Sequence, residues 1–121
     1  MSELCNFSFY SLSILDNDKQ ETSFDVKGYK NIEDHKIIYY FKNENTYKFI
    51  IDDNLTIYVN DSIYLFDINK KTEALIRIDH FSYKVSVITN KLTISESEIH
   101  IEYTLDFITF KGEYKITLKL L

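Results

Sequence analysis

The stretch that decides the fold of this chain is residues 55–66, which read LTIYVNDSIYLF. Apolar side chains recur with a period of two on either side of Asn60-Asp61, and this period is typical of half-buried β-strands. An Asn-Asp pair tolerates the positive φ angles of a two-residue hairpin turn. The stretch therefore predicts a β-hairpin in which Leu55 lies opposite Phe66.

Two upstream loops extend this register. The loops at 42–46 and 52–54 place Tyr39 and Ile57 on either side of Phe49. A slip of one residue would send every side chain to the opposite face, so these turns predict which residues share a face. The result is a four-stranded antiparallel meander whose predicted core face consists of Ile37, Tyr39, Phe49, Ile51, Leu55, Ile57, Tyr64 and Phe66.

The reverse face of this meander, residues 36–68, is unusually apolar for a sheet face that meets solvent. Monomers rarely leave a contiguous apolar patch of more than a few hundred Å² uncovered. We therefore expect another part of the chain, a second subunit or a protein partner to cover it. The predicted interaction patch, called the outer patch below, consists of Ile38, Tyr40, Ile50, Tyr58, Ile63 and Leu65.

The final hairpin is predicted to have a different outer face. Placing Phe107 opposite Tyr114 brings Glu102 opposite Lys119 on the outside. Cross-strand pairs of opposite charge stabilise a sheet by a few tenths to about 1 kcal/mol each. This outer face is therefore predicted to be solvated.

Alternation of apolar and polar residues continues through the remaining chain and predicts about ten antiparallel strands, with 83–89 and 91–95 counted separately, and an eleventh at 113–120. Residues 69–76, which carry the sole alanine, are the best candidate for one short helical turn. No linker or repeat divides residues 1–121, so a single domain is expected. The predicted fold class is all-β: an antiparallel barrel or a flattened sandwich.

Composition and charge exclude several classes of protein. With no Pro, two Gly and 45% hydrophobic residues, the chain is neither collagen-like nor intrinsically disordered. Its net charge of −5 has the wrong sign for binding phosphate backbones, so no nucleic-acid partner is predicted. From its mass, the folded chain should expose about 6,800 Å² of surface.

The N-terminal residues, the lengths of the apolar runs and the single cysteine indicate the cellular compartment. An acidic residue, Glu3, stands where a signal peptide has its basic region, and no apolar run approaches the length of a membrane span. Cys5 is the only cysteine, so no intrachain disulfide can form, which fits a reducing compartment. We therefore predict a cytoplasmic protein with no membrane association.

No catalytic constellation is visible in the sequence. It contains no serine elbow, glycine-rich phosphate loop or Cys-x-x-Cys motif, so a protein without enzymatic activity or cofactor is predicted. Glu98, His100 and Glu102 alternate on one strand face and could offer ligands to a metal ion. Because Glu102 already has a predicted lysine partner, no metal site is predicted.

Arg77 is the only arginine and is a candidate ligand anchor. A buried guanidinium could hold a carboxylate in bidentate fashion. Its neighbours Ile76 and Ile78 alternate with it, which favours an outward orientation for Arg77.

The other candidate ligand-binding residues are tyrosines. A barrel interior lined by these side chains would form a cavity with both apolar and hydrogen-bonding surface. The interior tyrosines are expected to be Tyr39, Tyr47, Tyr64, Tyr103 and Tyr114. Of these, Tyr39, Tyr64 and Tyr103 are the predicted ligand-binding residues, together with Arg77.

Residues 79–89 and 99–105, which read DHFSYKVSVIT and IHIEYTL, resemble the second half of the YwiB-like proteins, a family of uncharacterised bacterial proteins. Residues 24–29, FDVKGY, resemble the second strand of that family with its glycine. At Ser82-Tyr83 the family's later glycine is missing. The resemblance implies a calycin-like antiparallel β-barrel, and by analogy of shape it implies ligand binding. It implies no catalytic residues.

Together these observations predict a barrel that binds a small hydrophobic or amphipathic molecule. The alternative is a protein-interaction or homodimer module that uses the outer patch.

Overall fold

Ten antiparallel β-strands form the structure, a computed structural model that describes residues 2–121. Each strand pairs with its neighbours in sequence, and β1 also pairs with β10, which closes the sheet into a barrel. The strands are β1 (Ser2–Leu15), β2 (Asp18–Glu33), β3 (Lys36–Asn43), β4 (Asn45–Ile51), β5 (Leu55–Val59), β6 (Ser62–Phe66), β7 (Thr72–Ile78), β8 (Phe81–Ile94), β9 (Glu98–Phe107) and β10 (Phe110–Leu120).

This architecture confirms the all-β prediction and selects the barrel over the flattened sandwich. No helix occurs within residues 2–121, and the suggested helical turn at 69–76 is wrong. That segment is the connection between β6 and β7 followed by the first residues of β7. The backbone N–H of Asn69 donates to Asp67 Oδ1 (2.9 Å), so an aspartate side chain closes this turn in place of a helical hydrogen bond.

The predicted register of the meander is confirmed. Leu55 lies opposite Phe66, and Phe49 lies opposite both Tyr39 and Ile57. At the β5–β6 turn Asn60 has a φ of 53°, the positive value that favoured an asparagine there. The turns therefore phase these strands as the sequence predicts.

The predicted register of the last hairpin is wrong by four residues. Phe107 lies opposite Phe110 rather than Tyr114, and Glu102 lies opposite Lys115 rather than Lys119. The connection is a tight two-residue turn without Asn, Asp or Gly, so no local turn signal marks it. Because four is an even number, each side chain keeps its predicted face despite the shift.

The segments 83–89 and 91–95 belong to one strand, β8, rather than two. The pairing of β8 with β9 shifts by one residue between Thr89 and Lys91, which leaves Asn90 as the extra residue of a β-bulge. Asn90 Nδ2 donates a hydrogen bond to Thr104 Oγ1 (3.0 Å) on β9. The bulge moves the inward phase of β8 from odd-numbered to even-numbered residues, so that Leu92 packs against the core.

The two ends of the barrel are filled differently. We call the end that holds the β2–β3, β4–β5, β6–β7 and β8–β9 connections the packed end, and the opposite end the open end. The interior near the packed end is filled by side chains that are at most 1% exposed: Phe7, Phe49, Leu55, Ile99 and Leu118.

The chain exposes 8041 Å², more than the roughly 6,800 Å² expected from its mass. Part of this surface is apolar side chains at two hairpin tips of the open end. Ile78 and Phe81 flank the β7–β8 turn, while Ile108 and Phe110 lie at the β9–β10 turn, and all four are exposed. Among residues 2–121 no helix is long and apolar enough to cross a membrane.

Candidate functional site

A cavity of about 490 Å³ occupies the interior at the open end. Its volume lies within the usual range for small-molecule sites. The exposed Gln20 on its wall shows that it reaches solvent. It is lined by Phe9, Ser11, Leu12, Ser13, Gln20, Asn45, Tyr47, Ile57, Val59, Tyr64, Phe66, Tyr103, Tyr114, Lys115 and Ile116.

One wall of the cavity is a continuous aromatic array from β6, β9 and β10. The Tyr64 and Phe66 rings are stacked with centroids 6.4 Å apart, and Phe66 meets Tyr103 edge-on at 4.7 Å. Tyr103 and Tyr114 lie opposite each other in the sheet and stack at 5.1 Å. Aromatic pairs at such separations stabilise one another beyond the area that they bury, so this wall is a defined surface.

The hydroxyl groups of this wall face a weakly polar environment. Burial raises the pKa of Tyr64, Tyr103 and Tyr114, and the raised values of Tyr64 and Tyr103 also reflect the proximity of neighbouring tyrosines in this set. Tyr103 is only 6% exposed. These phenols therefore stay protonated throughout the physiological pH range and can act as hydrogen-bond donors.

On the opposite wall of the cavity, asparagine side chains near the strand ends form a chain of hydrogen bonds. Asn60 accepts a hydrogen bond from the backbone N–H of Thr46 (2.9 Å) and donates one to Asn45 Oδ1 (2.9 Å). Asn45 Nδ2 in turn donates to the Tyr47 hydroxyl oxygen at 3.5 Å. The turn residue Asn60 thus positions Tyr47, whose ring lies 5.0 Å from that of Phe9.

Two of the three predicted ligand-binding tyrosines, Tyr64 and Tyr103, lie on the cavity wall. Tyr39 does not: it is 2% exposed and packs edge-on against Phe7 at 5.6 Å, outside the cavity. The prediction was wrong for Tyr39 because alternation shows only that a side chain faces inward. It does not show whether that level of the barrel interior is filled by other side chains or open. Of the other interior tyrosines, Tyr47 and Tyr114 line the cavity.

Arg77 is not an interior anchor. Its side chain is exposed, and the inward positions of β7 are occupied by Ala74, which is buried, and by Ile76. The Arg77 backbone N–H donates to Ser62 Oγ at 2.9 Å, which ties β7 to β6. The suggestion of a buried guanidinium is therefore wrong, and the outward orientation favoured by the isoleucines is confirmed.

The polar cavity residues Ser11, Ser13, Gln20 and Asn45 were missed. Ser11 and Ser13 continue the inward face of β1 after Phe7 and Phe9. The change from aromatic to hydroxyl residues at alternate positions of one strand is the signal that could have marked where the packed interior gives way to a cavity.

The outer patch is partly exposed. Tyr40 and Leu65 are 41% and 44% exposed, and the other four side chains are half-buried. The Lys48 ammonium lies 5.7 Å from the centre of the Tyr58 ring and covers part of the patch. The suggestion that terminal strands cover this face is wrong, because within residues 2–121 those strands lie in the barrel wall and close the same sheet.

The alternating acid and histidine residues of β9 form a hydrogen-bonded group on the outer surface. His100 Nδ1 lies 2.8 Å from Thr117 Oγ1, and His100 Nε2 lies 2.8 Å from Glu102 Oε2. Lys115 Nζ lies 3.9 Å from the other oxygen of Glu102. In the described part of the chain no three His, Cys, Asp or Glu residues are arranged to hold a metal ion.

Comparison with known proteins bears on the fold. No protein-family model matches the sequence, and no curated protein matches it. The crystal structure of the YwiB protein from Bacillus subtilis is similar to this barrel, with a TM-score of 0.72. The match covers 99% of this chain and 93% of that chain at 11% sequence identity. The chain therefore shares the fold of YwiB, and the barrel implied by the sequence resemblance is confirmed.

Proposed function

We propose that the barrel binds a small amphipathic molecule in the cavity at its open end. The observation that carries this proposal is the cavity of about 490 Å³ at one end of a barrel whose other end is filled by buried side chains. Its wall combines apolar side chains such as Phe9, Ile57 and Val59 with hydroxyl and amide groups. This mixture of apolar walls and a few polar groups is typical of small-molecule sites.

The chemistry of the wall supports binding rather than catalysis. The residues that line the cavity include no histidine, cysteine or carboxylate, the usual groups for proton transfer and nucleophilic attack. Lys115 is the one charged residue among those that line the cavity, and its ammonium lies on the outer surface, 3.9 Å from Glu102. We therefore propose a binding protein without enzymatic activity.

The test is titration with Nile red, an uncharged dye whose fluorescence rises in apolar surroundings. Ser11→Phe adds a ring to the inward face of β1 and should abolish saturable binding, because the ring would occupy the cavity. Ser8→Phe is the matched control, since Ser8 lies on the same strand with the opposite phase and outside the cavity. Equal binding by both variants, or no saturable binding by the unmodified protein, would contradict the proposal.

A second function is favoured by the outer patch. We propose that this face forms a homodimer interface, because nothing else in residues 2–121 covers it while Tyr40 and Leu65 stay exposed. Sedimentation equilibrium should then detect a dimer that Leu65→Lys converts to a monomer. A monomer at all concentrations would end this second proposal and leave the first intact.

A further inference from the structure

The chemistry of the cavity ligand can be argued from three tyrosine hydroxyls. Tyr64, Tyr103 and Tyr114 form no hydrogen bond through their hydroxyls to any described residue. No fully buried side-chain oxygen in that part of the chain lacks a partner, so these hydroxyls must keep contact with the cavity. Three protonated phenols on one wall are therefore free to donate hydrogen bonds to a ligand.

One face of each of these rings, in contrast, is occupied by a stacked neighbour. Tyr103 and Tyr114 stack on each other with an interplanar angle of 13°, and Tyr64 stacks on Phe66 at 6°. A cation is bound over an open ring face. Stacking leaves fewer open ring faces for a cation, and none of the residues that line the cavity is a carboxylate that could balance its charge, so a cationic ligand is disfavoured.

Charge disfavours an anionic ligand. The ammonium of Lys115 lies on the outer surface beside Glu102, so a carboxylate buried in the cavity would have no counter-ion, and such burial is costly. Four of the five turns at the open end carry a carboxylate, and none of the five carries Lys or Arg. These acidic turn residues are Asp16, Glu44, Asp61 and Asp79. Their charge repels an approaching anion.

We infer that the cavity binds an uncharged molecule with acceptor oxygen, such as a ketone or an ester, which receives hydrogen bonds from the phenol hydroxyls of this wall, those of Tyr64, Tyr103 and Tyr114. This inference rests on the proposed function and specifies the ligand class of the same site. The apolar part of the ligand lies against Phe9, Ile57 and Val59.

The test compares three compounds of similar chain length in displacement of Nile red: methyl hexyl ketone, octanoate and octyltrimethylammonium. The ketone should displace the dye best. At least one of the variants Tyr64→Phe, Tyr103→Phe and Tyr114→Phe should weaken ketone binding roughly fivefold, since it removes a hydrogen-bond donor to the ketone oxygen. Tyr29→Phe is the control, because Tyr29 is exposed and lies away from the cavity, and ketone affinity should not change.

The outcomes separate this inference from the proposed function. Displacement in which octanoate or the ammonium compound is strongest would overturn the inference and leave a binding barrel. Ketone affinity that is unchanged in all three phenylalanine variants would also overturn it. If Nile red itself shows no saturable binding, or binds equally to Ser11→Phe and Ser8→Phe, the proposed function fails.

Discussion

The packed end and the open end of the barrel are built from the same ten strands but differ in what faces inward. At the packed end, phenylalanine and branched aliphatic side chains fill the interior. At the open end, the inward positions carry tyrosines, serines and amides, which leave about 490 Å³ unfilled. A closed barrel therefore does not require a uniform core: side chains fill one end, and the other end retains a cavity.

The largest expected difference between the two ends is in the free energy of unfolding that is lost when one inward side chain is truncated to alanine. Phe49→Ala should lower the free energy of unfolding by about 3–5 kcal/mol, because Phe49 is fully buried and its loss leaves a void. Val59→Ala, on the cavity wall, should cost about 1 kcal/mol, since less apolar surface is buried there. Urea unfolding followed by circular dichroism measures both values. Equal costs would show that the open end is as tightly packed as the other.

The two glycines provide a sharper comparison. A Cβ atom on Gly28 would lie 2.8 Å from the Phe41 Cβ and would also clash with the Tyr40 carbonyl oxygen. A Cβ atom on Gly112 would meet the distal atoms of Leu15 and Tyr114, at 2.7 Å each.

Backbone atoms of a paired strand cannot move aside as the end of a side chain can. Gly28→Ala should therefore destabilise the protein by about 2–3 kcal/mol, and Gly112→Ala by less than about 1 kcal/mol. Thermal and urea unfolding of the two variants test this. Neither glycine has a positive φ, so backbone conformation does not complicate the comparison. A larger loss for Gly112→Ala would contradict the assignment of the open end.

High pH should lower the stability of the fold through the buried tyrosines of the cavity wall. Burial raises the pKa of Tyr103 above the ordinary value of about 10. Because the pKa of Tyr103 is higher in the folded state than in the unfolded state, Tyr103 contributes to the stability of the fold below pH 10. This contribution is lost as the pH rises through the pKa of the folded state. This loss is at most about 1.4 kcal/mol per pH unit for each proton. Tyr103→Phe should unfold less readily in alkali, as measured by urea unfolding at increasing pH. An unchanged alkaline dependence would refute this contribution.

The smallest effect is expected on the outer surface between the two ends. The hydrogen bond from His100, followed by the charges of Lys115 and His100, lowers the pKa of Glu102 below its ordinary value of 4.5. Glu102 therefore stabilises the fold above pH 4.5, and this contribution is lost as the pH falls through the folded value.

Glu102→Gln should weaken the acid dependence of stability without changing Nile red affinity. His100→Ala should have a larger effect on this dependence than Lys115→Ala, because the hydrogen bond is the main cause of the lowered pKa. Urea unfolding between neutral and acidic pH measures the dependence. If Lys115→Ala has the larger effect, the hydrogen bond is not the main cause.

The meander shows how much of the fold could be predicted. Its turns carry Asn and Asp at the positions that need them, so the register from Tyr39 to Phe66 followed from local chemistry. The final hairpin has no such signal at Ile108-Thr109, and its register came out wrong. The additional pairing of β10 with β1 contributes to the true register, and it joins opposite ends of the chain.

The site was predictable only in part. Alternation identified Tyr64 and Tyr103 as inward residues, and both line the cavity. It identified Tyr39 equally well, although Tyr39 lies in packed interior. A period of two predicts which face of the sheet a side chain lies on. Whether that side chain meets other side chains or a cavity depends on residues from strands across the barrel.

The amino-acid sequence alone determined the all-β class, the inward and outward faces and the turns that phase the meander, because these depend on neighbouring residues. Tertiary structure decided that the sheet closes through β1 and β10 and that one end is left unfilled. These features depend on the register of ten strands together. No local pattern contains that information, because closure and cavity volume are properties of the whole barrel.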